Sequence, residues 1–409
     1  MNFTKRFTTA IATGAVLVNA LAPVALAQEI NVAGNGAFSD SAVNVSNNSN
    51  TSVNQSNNAN VTNKVSSNAS TGGNSSNFNT GGDSGIRTGS ATSNTEIKNM
   101  LNTNKASLPS CGGCAGGAAN VNVEGNGAYA DTNVGVDNNK SVTLNQDNNA
   151  NVKNYVDANA KTGGNDSKFN TGGDSAIFTG DAVTVVDVMT KANANVATIG
   201  GGNGAAGNSS VTIDGNGAFS DNDVDLSQNS AVVLNQDNVA NIKNAVDANS
   251  NTGGNDAEFN TDGDVAIFTG DAATGVTVDN AVNFNMASID CDCVLGGLGV
   301  TIDGNGAKSL NEVNASSDNA LFNHQDNLAS LWNDVDGNAK SGHNDSGFGT
   351  GGDNGTRTGD SLSVTEVSNE GNVNVLHDGG SLHLPGNWEM DFDFDLSGLM
   401  LSLNHWMMA

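Results

Sequence analysis

Residues 152–182 read VKNYVDANAKTGGNDSKFNTGGDSAIFTGDA. The first ten alternate: Val152, Asn154, Val156, Ala158 and Ala160 fall on one side of an extended chain, and Lys153, Tyr155, Asp157 and Asn159 on the other. Three Thr-Gly phrases follow, at Thr162, Thr171 and Thr179. Glycine accepts the positive φ that a tight corner needs, so a strand running into successive turns is expected here. The density of Gly, Asn, Thr and Val disfavours helix.

The same passage returns across the chain. Its Thr-Gly phrases stand at Thr71, Thr80 and Thr88, at Thr252, Thr261 and Thr269, and at Ser341, Thr350 and Thr358. Each set is preceded by the phrase Gly-Asn-Gly-Ala, at Gly34, Gly125, Gly215 and Gly304. Four tandem copies of about 90 residues mark an array, and the pattern predicts an all-β β-solenoid of stacked coils. The expected boundaries are 28–119, 120–209, 210–298 and 299–387. Each copy is expected to split into about four coils of some 20 residues, which for the second copy start near Val121, Ser141, Thr162 and Ala182. About 16 coils would make a rod of roughly 80 Å. The residues two before each Thr (Ala160, Phe169 and Ile177; Ala69, Phe78 and Ile86; Ser250, Phe259 and Ile267; Ala339, Phe348 and Thr356) are expected to point inward. Four separate β-sandwiches are the rival arrangement, but each copy has few large apolar residues to fill a core of its own. Aliphatic residues plus Phe make up about a fifth of the chain, near the level at which disorder sets in; the regular placement of the apolar residues argues for order.

An Asn recurs on the apolar side of the alternating segment: Asn63, Asn154, Asn244 and Asn333. Buried alone, it would cost a few kcal/mol. Stacked from coil to coil, the amides would bond along a ladder. Terminal repeats usually diverge because one face lacks a neighbour, and the fourth copy carries His324, Trp332 and His343 at positions filled otherwise in the inner copies.

Residues 1–27 read as an export leader: Lys5 and Arg6, an apolar stretch to Leu26, and Ala25-Leu26-Ala27 as the cleavage site. Its removal leaves 13 basic residues against 43 acidic ones, a net charge of −30. With no basic patch, nucleic acid is excluded as a partner, and no second apolar span follows to cross a bilayer. The chain is expected outside the cell, where acidity keeps it soluble and attracts cations.

Cysteines occur only between copies: Cys111 and Cys114, then Cys291 and Cys293. In an oxidising compartment they form disulfides. Pairing within each couple, pairing between chains, and metal or redox chemistry are the three outcomes open to them. The acids of the Thr-Gly phrases recur as Asp83, then Asp174 and Asp181, Asp264 and Asp271, and Asp353 and Asp360. They either close the turns through backbone hydrogen bonds or contribute oxygens to calcium, which takes six to eight. These Gly-rich turns carrying Asp loosely resemble the nonapeptide calcium repeats of RTX proteins, from which they depart in that Asp174 follows Gly172-Gly173 directly and only two or three such turns occur per copy; the resemblance implies calcium as a ligand.

The segment Ser141-Val-Thr-Leu-Asn-Gln146-Asp-Asn148-Asn-Ala-Asn151 resembles part of a curlin repeat, the unit of curli-type fibres, with Gln55, Gln236 and Gln325 at the matching positions of the other copies. Asn148 stands where curlin has Gly, Lys153 replaces a small Ala, and the motif occurs once per copy rather than back to back. The resemblance covers about a quarter of the chain and implies an exported β-solenoid subunit that polymerises end to end through open strand edges.

No catalytic constellation is expected. A polysaccharide-cleaving β-helix gathers unique acids in one cleft, whereas these acids recur with the copies. The histidines, His324, His343, His377, His383 and His405, lack metal-ligand spacing. Residues 388–409 differ from the copies: Phe392, Phe394 and Leu396 alternate with aspartates, which suits a capping strand or an assembly strand. The expectation is therefore a secreted structural protein of the cell surface or matrix, self-assembling into fibres; the alternative is a monomeric, calcium-stabilised adhesin or carbohydrate-binding rod.

Overall fold

The computed structural model describes residues 6–9, 15–19, 28–34, 36–108, 119–200, 209–289 and 298–378. All regular structure among them is strand. After two short strands, β1 (Arg6–Thr9) and β2 (Ala15–Asn19), each copy contributes four. In the first copy these are β3 (Gln28–Ala33), β4 (Asp40–Ser70), β5 (Ser84–Arg87) and β6 (Ala91–Leu108). The second copy gives β7 (Ala119–Glu124), β8 (Asp131–Lys161), β9 (Ser175–Phe178) and β10 (Ala182–Ile199), and the third β11 (Ser209–Asp214), β12 (Asp221–Asn251), β13 (Val265–Phe268) and β14 (Ala272–Ile289). The fourth gives β15 (Leu298–Asp303), β16 (Leu310–Lys340), β17 (Asn354–Arg357) and β18 (Ser361–Asp378).

Strands within a copy do not pair with one another. Each pairs in parallel with its counterpart in the neighbouring copy, giving the sheet orders β3-β7-β11-β15, β4-β8-β12-β16, β5-β9-β13-β17 and β6-β10-β14-β18. The architecture is all-β with parallel strands stacked in sheets, compatible with a β-solenoid. The expected four coils per copy is corrected: partners lie 89 to 91 residues apart, so each copy makes one wide level. Four levels stand about 19 Å tall at ~4.8 Å per strand, against a 31-residue strand contour of roughly 100 Å. Period alone misled here, because Thr-Gly corners close a level without bringing its own strands side by side.

The alternation read from residues 152–160 holds. Val152, Asn154, Val156, Ala158 and Ala160 are buried, while the intervening residues lie at the surface. The long sheet packs its inner face on two others. Val134, Val136, Val224 and Leu226 meet Val121, Val123, Val211 and Ile213 at one end. Further along, Leu144 and Leu234 meet Ile199 and Ile289, and Val156 and Val246 meet Val188 and Val278. The core is thus a thin, wide bilayer of small aliphatic side chains, and each level shares it with the next.

The corners explain the Thr-Gly phrases. Thr162 Oγ1 donates to the carbonyl of Gly180, so the two ends of the turn region clamp together. The equivalent bonds run from Thr71 to Gly89, Thr252 to Gly270 and Ser341 to Gly359. Gly163 has no room for a Cβ, which would run into the carbonyl of Gly253 in the next level. Phe78, Phe169, Phe259 and Phe348 correct an expectation: they point outward, at positive φ between 54° and 60°. A non-glycine residue in this region is uncommon; the rings stack on one another instead of entering the core.

Buried amides tie the levels together. Asn63 donates to Asn154, Asn154 to Asn244 and Asn333 is reached from Asn244, at 2.7–2.8 Å. Asn99 on β6 also donates to Asn154 Oδ1. Replacing Asn154 by Ala leaves buried donors on Asn63 and Asn99 and a cavity. We expect a loss of about 2–4 kcal/mol, seen as a lower midpoint in thermal or urea unfolding, while Asn149→Ala on the exposed face stays within about 0.5 kcal/mol.

Candidate assembly surfaces

Stacking turns every position of a copy into a column of four. The Gln of the curlin-like segment forms one such column. Gln146 Nε2 donates to Gln55 Oε1, Gln236 to Gln146 and Gln325 to Gln236, at 2.6–2.8 Å. Each amide also reaches across the sandwich to a carbonyl of the facing strand, Val196 for Gln146 and Met286 for Gln236. A double column runs beside it, Asn57-Asn148-Asn238-Asn327 bonded to Asn104-Asn195-Asn285-Asn374. Asn148, where curlin has Gly, is therefore a structural member of the ladder. Asn151 lies at the surface.

A further amide column, not anticipated from the sequence pattern, lies at a break in the β6 ladder. Asn102, Asn193, Asn283 and Asn372 take positive φ, and register skips one residue there. The side chains of Asn102, Asn193 and Asn283 donate both to the next Asn and to carbonyls of the long sheet. The visible signal is the recurring Asn-x-Asn, at Asn102 and Asn104, Asn193 and Asn195, Asn283 and Asn285, and Asn372 and Asn374.

The predicted calcium ligands fall into two columns. Asp83, Asp174, Asp264 and Asp353 form one; in it Oδ1 of each accepts the backbone N–H of the next. Asp181, Asp271 and Asp360 stack above Ser90 in the other, with the same bonding. The turn-closing role is thus realised between levels rather than within a turn. Among the described residues no three His, Cys, Asp or Glu side chains converge as a metal-ligand set. Cys111, Cys114, Cys291 and Cys293, and the tail 388–409, lie outside the described residues. So do His383 and His405. His324 is exposed, 3.7 Å from Asp237.

Two faces end the stack. At one, among the described residues, β3, β4 and β5 have no further strand beside them, and β6 carries β1 and β2 along part of its outer edge. At the other, β15, β16, β17 and β18 are terminal. Long unprotected edges are unusual, because rows of unpaired N–H and C=O groups invite another strand. Exposure of the stacked rings marks the ends: Phe78 and Phe348 are 74 % and 72 % exposed, against 45 % and 44 % for Phe169 and Phe259 between them. A second outer column runs Phe38-Tyr129-Phe219, with rings 5.0 Å apart, and ends with Lys308 over Phe219.

The two faces differ in charge. Residues 28–108 balance Glu29, Asp40, Asp83 and Glu96 with Lys64, Arg87, Lys98 and Lys105. Residues 298–378 hold twelve acids and three bases, a net −9. The fourth level also exposes Val313, Leu321 and Val364, whose counterparts Val134, Val142 and Val185 are buried in the second.

Neither a known family model, nor a curated protein, nor a solved structure matches this chain. Among the described residues, no helix is long and apolar enough to cross a membrane.

Burial, and with it the stacking of like charges, raises carboxyl pKa values. Asp187 on β10 is buried with neither oxygen bonded by a described residue. Burial first, then Glu96 and Asp279, push its carboxyl up to about 6, against a lowering by Lys98. Asp237 and Asp279 are also raised, burial being the larger cause in both; Asp147 and Asp326 of its own column add to the effect at Asp237. A carboxyl raised on folding contributes stability that is complete below the ordinary value and is lost as pH climbs through the raised one. The protein is therefore expected to lose stability from Asp187 between about pH 4 and 6. Asp187→Asn should raise the thermal midpoint at pH 7.5, by an equivalent of about 2 kcal/mol, and flatten the pH profile in that window; an unchanged profile contradicts the assignment.

Proposed function

We propose that this chain is a secreted structural protein of the cell surface or extracellular matrix, a β-solenoid of four coils with one coil per copy, and that it assembles end to end into fibres. The observation that carries this reading is the pair of open ends. Strands of 6, 31, 4 and 18 residues stand at one end, and strands of 6, 31, 4 and 18 at the other. Neither 31-residue edge contains proline or closes on itself, and a second copy supplies the matching strands. The Gln55–Gln325, Asn63–Asn333 and Phe78–Phe348 columns begin and end on the same residue type, so a new level finds the partner that an inner level has. The curlin-like segment supports the reading because its Gln forms one of those columns. Repeating acids and unique histidines without a shared cleft support a role without catalysis.

A calcium-stabilised, monomeric adhesin or sugar-binding rod is the second reading. It draws on the two aspartate columns, in which stacked carboxylates about 5 Å apart repel and a cation would relieve them. In that reading calcium raises the unfolding midpoint far more than sodium does at equal ionic strength.

Electron microscopy of the processed chain at neutral pH and moderate salt tests the choice. The fibre reading expects long unbranched filaments with an axial subunit repeat of about 19 Å, four strand spacings. Discrete plates that never elongate, at any pH between 4 and 8, would remove it in favour of the monomer.

A further inference from the structure

Assembly through open ends leaves three junctions available: first level on fourth, first on first, or fourth on fourth. We infer that the partner of the fourth-level face is the first-level face of a second copy, so that subunits add head to tail with one polarity. This rests on the fibre reading above and goes further by naming the two faces and their contacts.

Charge is the first argument. A fourth-on-fourth junction brings two surfaces of net −9 together, with stacked acids a strand spacing apart, where like charges repel. The first level is neutral. One column carries the complementarity directly: Lys64, Tyr155, Ala245 and Asp334 follow one another in register. All four line one shallow groove, and Lys64 and Asp334 are exposed at its two ends. Head-to-tail addition sets Lys64 of one subunit one strand spacing from Asp334 of the next. Within a single chain they stand three spacings apart, about 14 Å.

Ladder identity is the second argument. Gln325 and Gln55, Asn333 and Asn63, and Phe348 and Phe78 belong to shared columns. Parallel stacking in one direction continues each column with the bond or ring contact already made between inner levels. The reversed junctions would set the strands of the two faces antiparallel or out of register and break every ladder at once. A third column gains a contact: Lys308, which sits over Phe219 at one end, would meet the free face of Phe38 from the next subunit. The β6 edge also accepts parallel strands already, since β1 pairs at Asn94–Ile97 and β2 at Thr103–Ser107. Those are the positions that β18 of a neighbour would take, through the register linking Asn94 to Val364 and Thr103 to Val373.

The test uses zero-length carbodiimide coupling of amines to carboxylates in assembled, processed chain, read by mass spectrometry. A Lys64–Asp334 link is expected in the assembled fraction and not in dilute monomer. Lys64→Glu should slow assembly several-fold, and adding Asp334→Lys to it should restore the rate. Fibres that form without the Lys64–Asp334 link, and whose rate is the same for Lys64→Glu, would overturn the polarity while leaving the fibre reading intact. If no assembly occurs under any condition, both fall together.

Discussion

A buried primary amide must find both a donor and an acceptor, and here it finds them in an identical amide one strand spacing away. That constraint organises the molecule. An isolated Gln or Asn in the sandwich would cost more than a kcal/mol or two of unmet hydrogen bonding. In a column, the Oε1 of Gln146 is used by Gln236 and its Nε2 by Gln55. The arrangement works only if levels are parallel and in register, because a slip of one residue would turn every inward amide out and every outward one in. Polar ladders therefore do the specifying that large, well-packed side chains do in an ordinary core. The aliphatic part is thin by comparison: Val, Ala, Ile and Leu in pairs across the sheet interface.

The same logic has a cost on the outer face. Repeating a copy repeats its charges, so that Asp147, Asp237 and Asp326 come to lie in one column, as do Asp157, Asp247 and Asp336. Backbone N–H groups relieve part of this in the Thr-Gly columns. Elsewhere a cation does so: Lys168 forms ion pairs with Asp256 and Glu258 of the next level. The uneven spread of bases, concentrated in the first two copies, gives the stack a direction.

Much of this was legible in the residues. The strand, the inward side of residues 152–160 and the amide ladder through Asn154 all follow from alternation and the energetics of a buried amide. The size of one level did not. Thr-Gly phrases eight and nine residues apart look like the corners of a small coil, but only long-range pairing decides whether two neighbouring segments lie side by side or end to end. The outward Phe169 departs from its expected burial for a related reason: apolar character predicts burial unless rings can stack along a column, which requires the copies to be in register. The bulge at Asn193 depends on positive φ, which Asn tolerates without announcing. The acid columns were visible as recurring aspartates, yet their partner, the N–H of the next level, lies about 90 residues away.

The central claim is that residues one copy apart stand one strand spacing apart. Electron-electron distance measurement between spin labels at positions 54 and 324 tests it, with labelled chain diluted in unlabelled chain. Both sites are exposed and belong to one column. Three strand spacings, about 14 Å between backbones, predict a narrow label distribution at roughly 15–25 Å. A distribution centred near 60 Å, as about four coils per copy would give at ~4.8 Å each, would contradict the account.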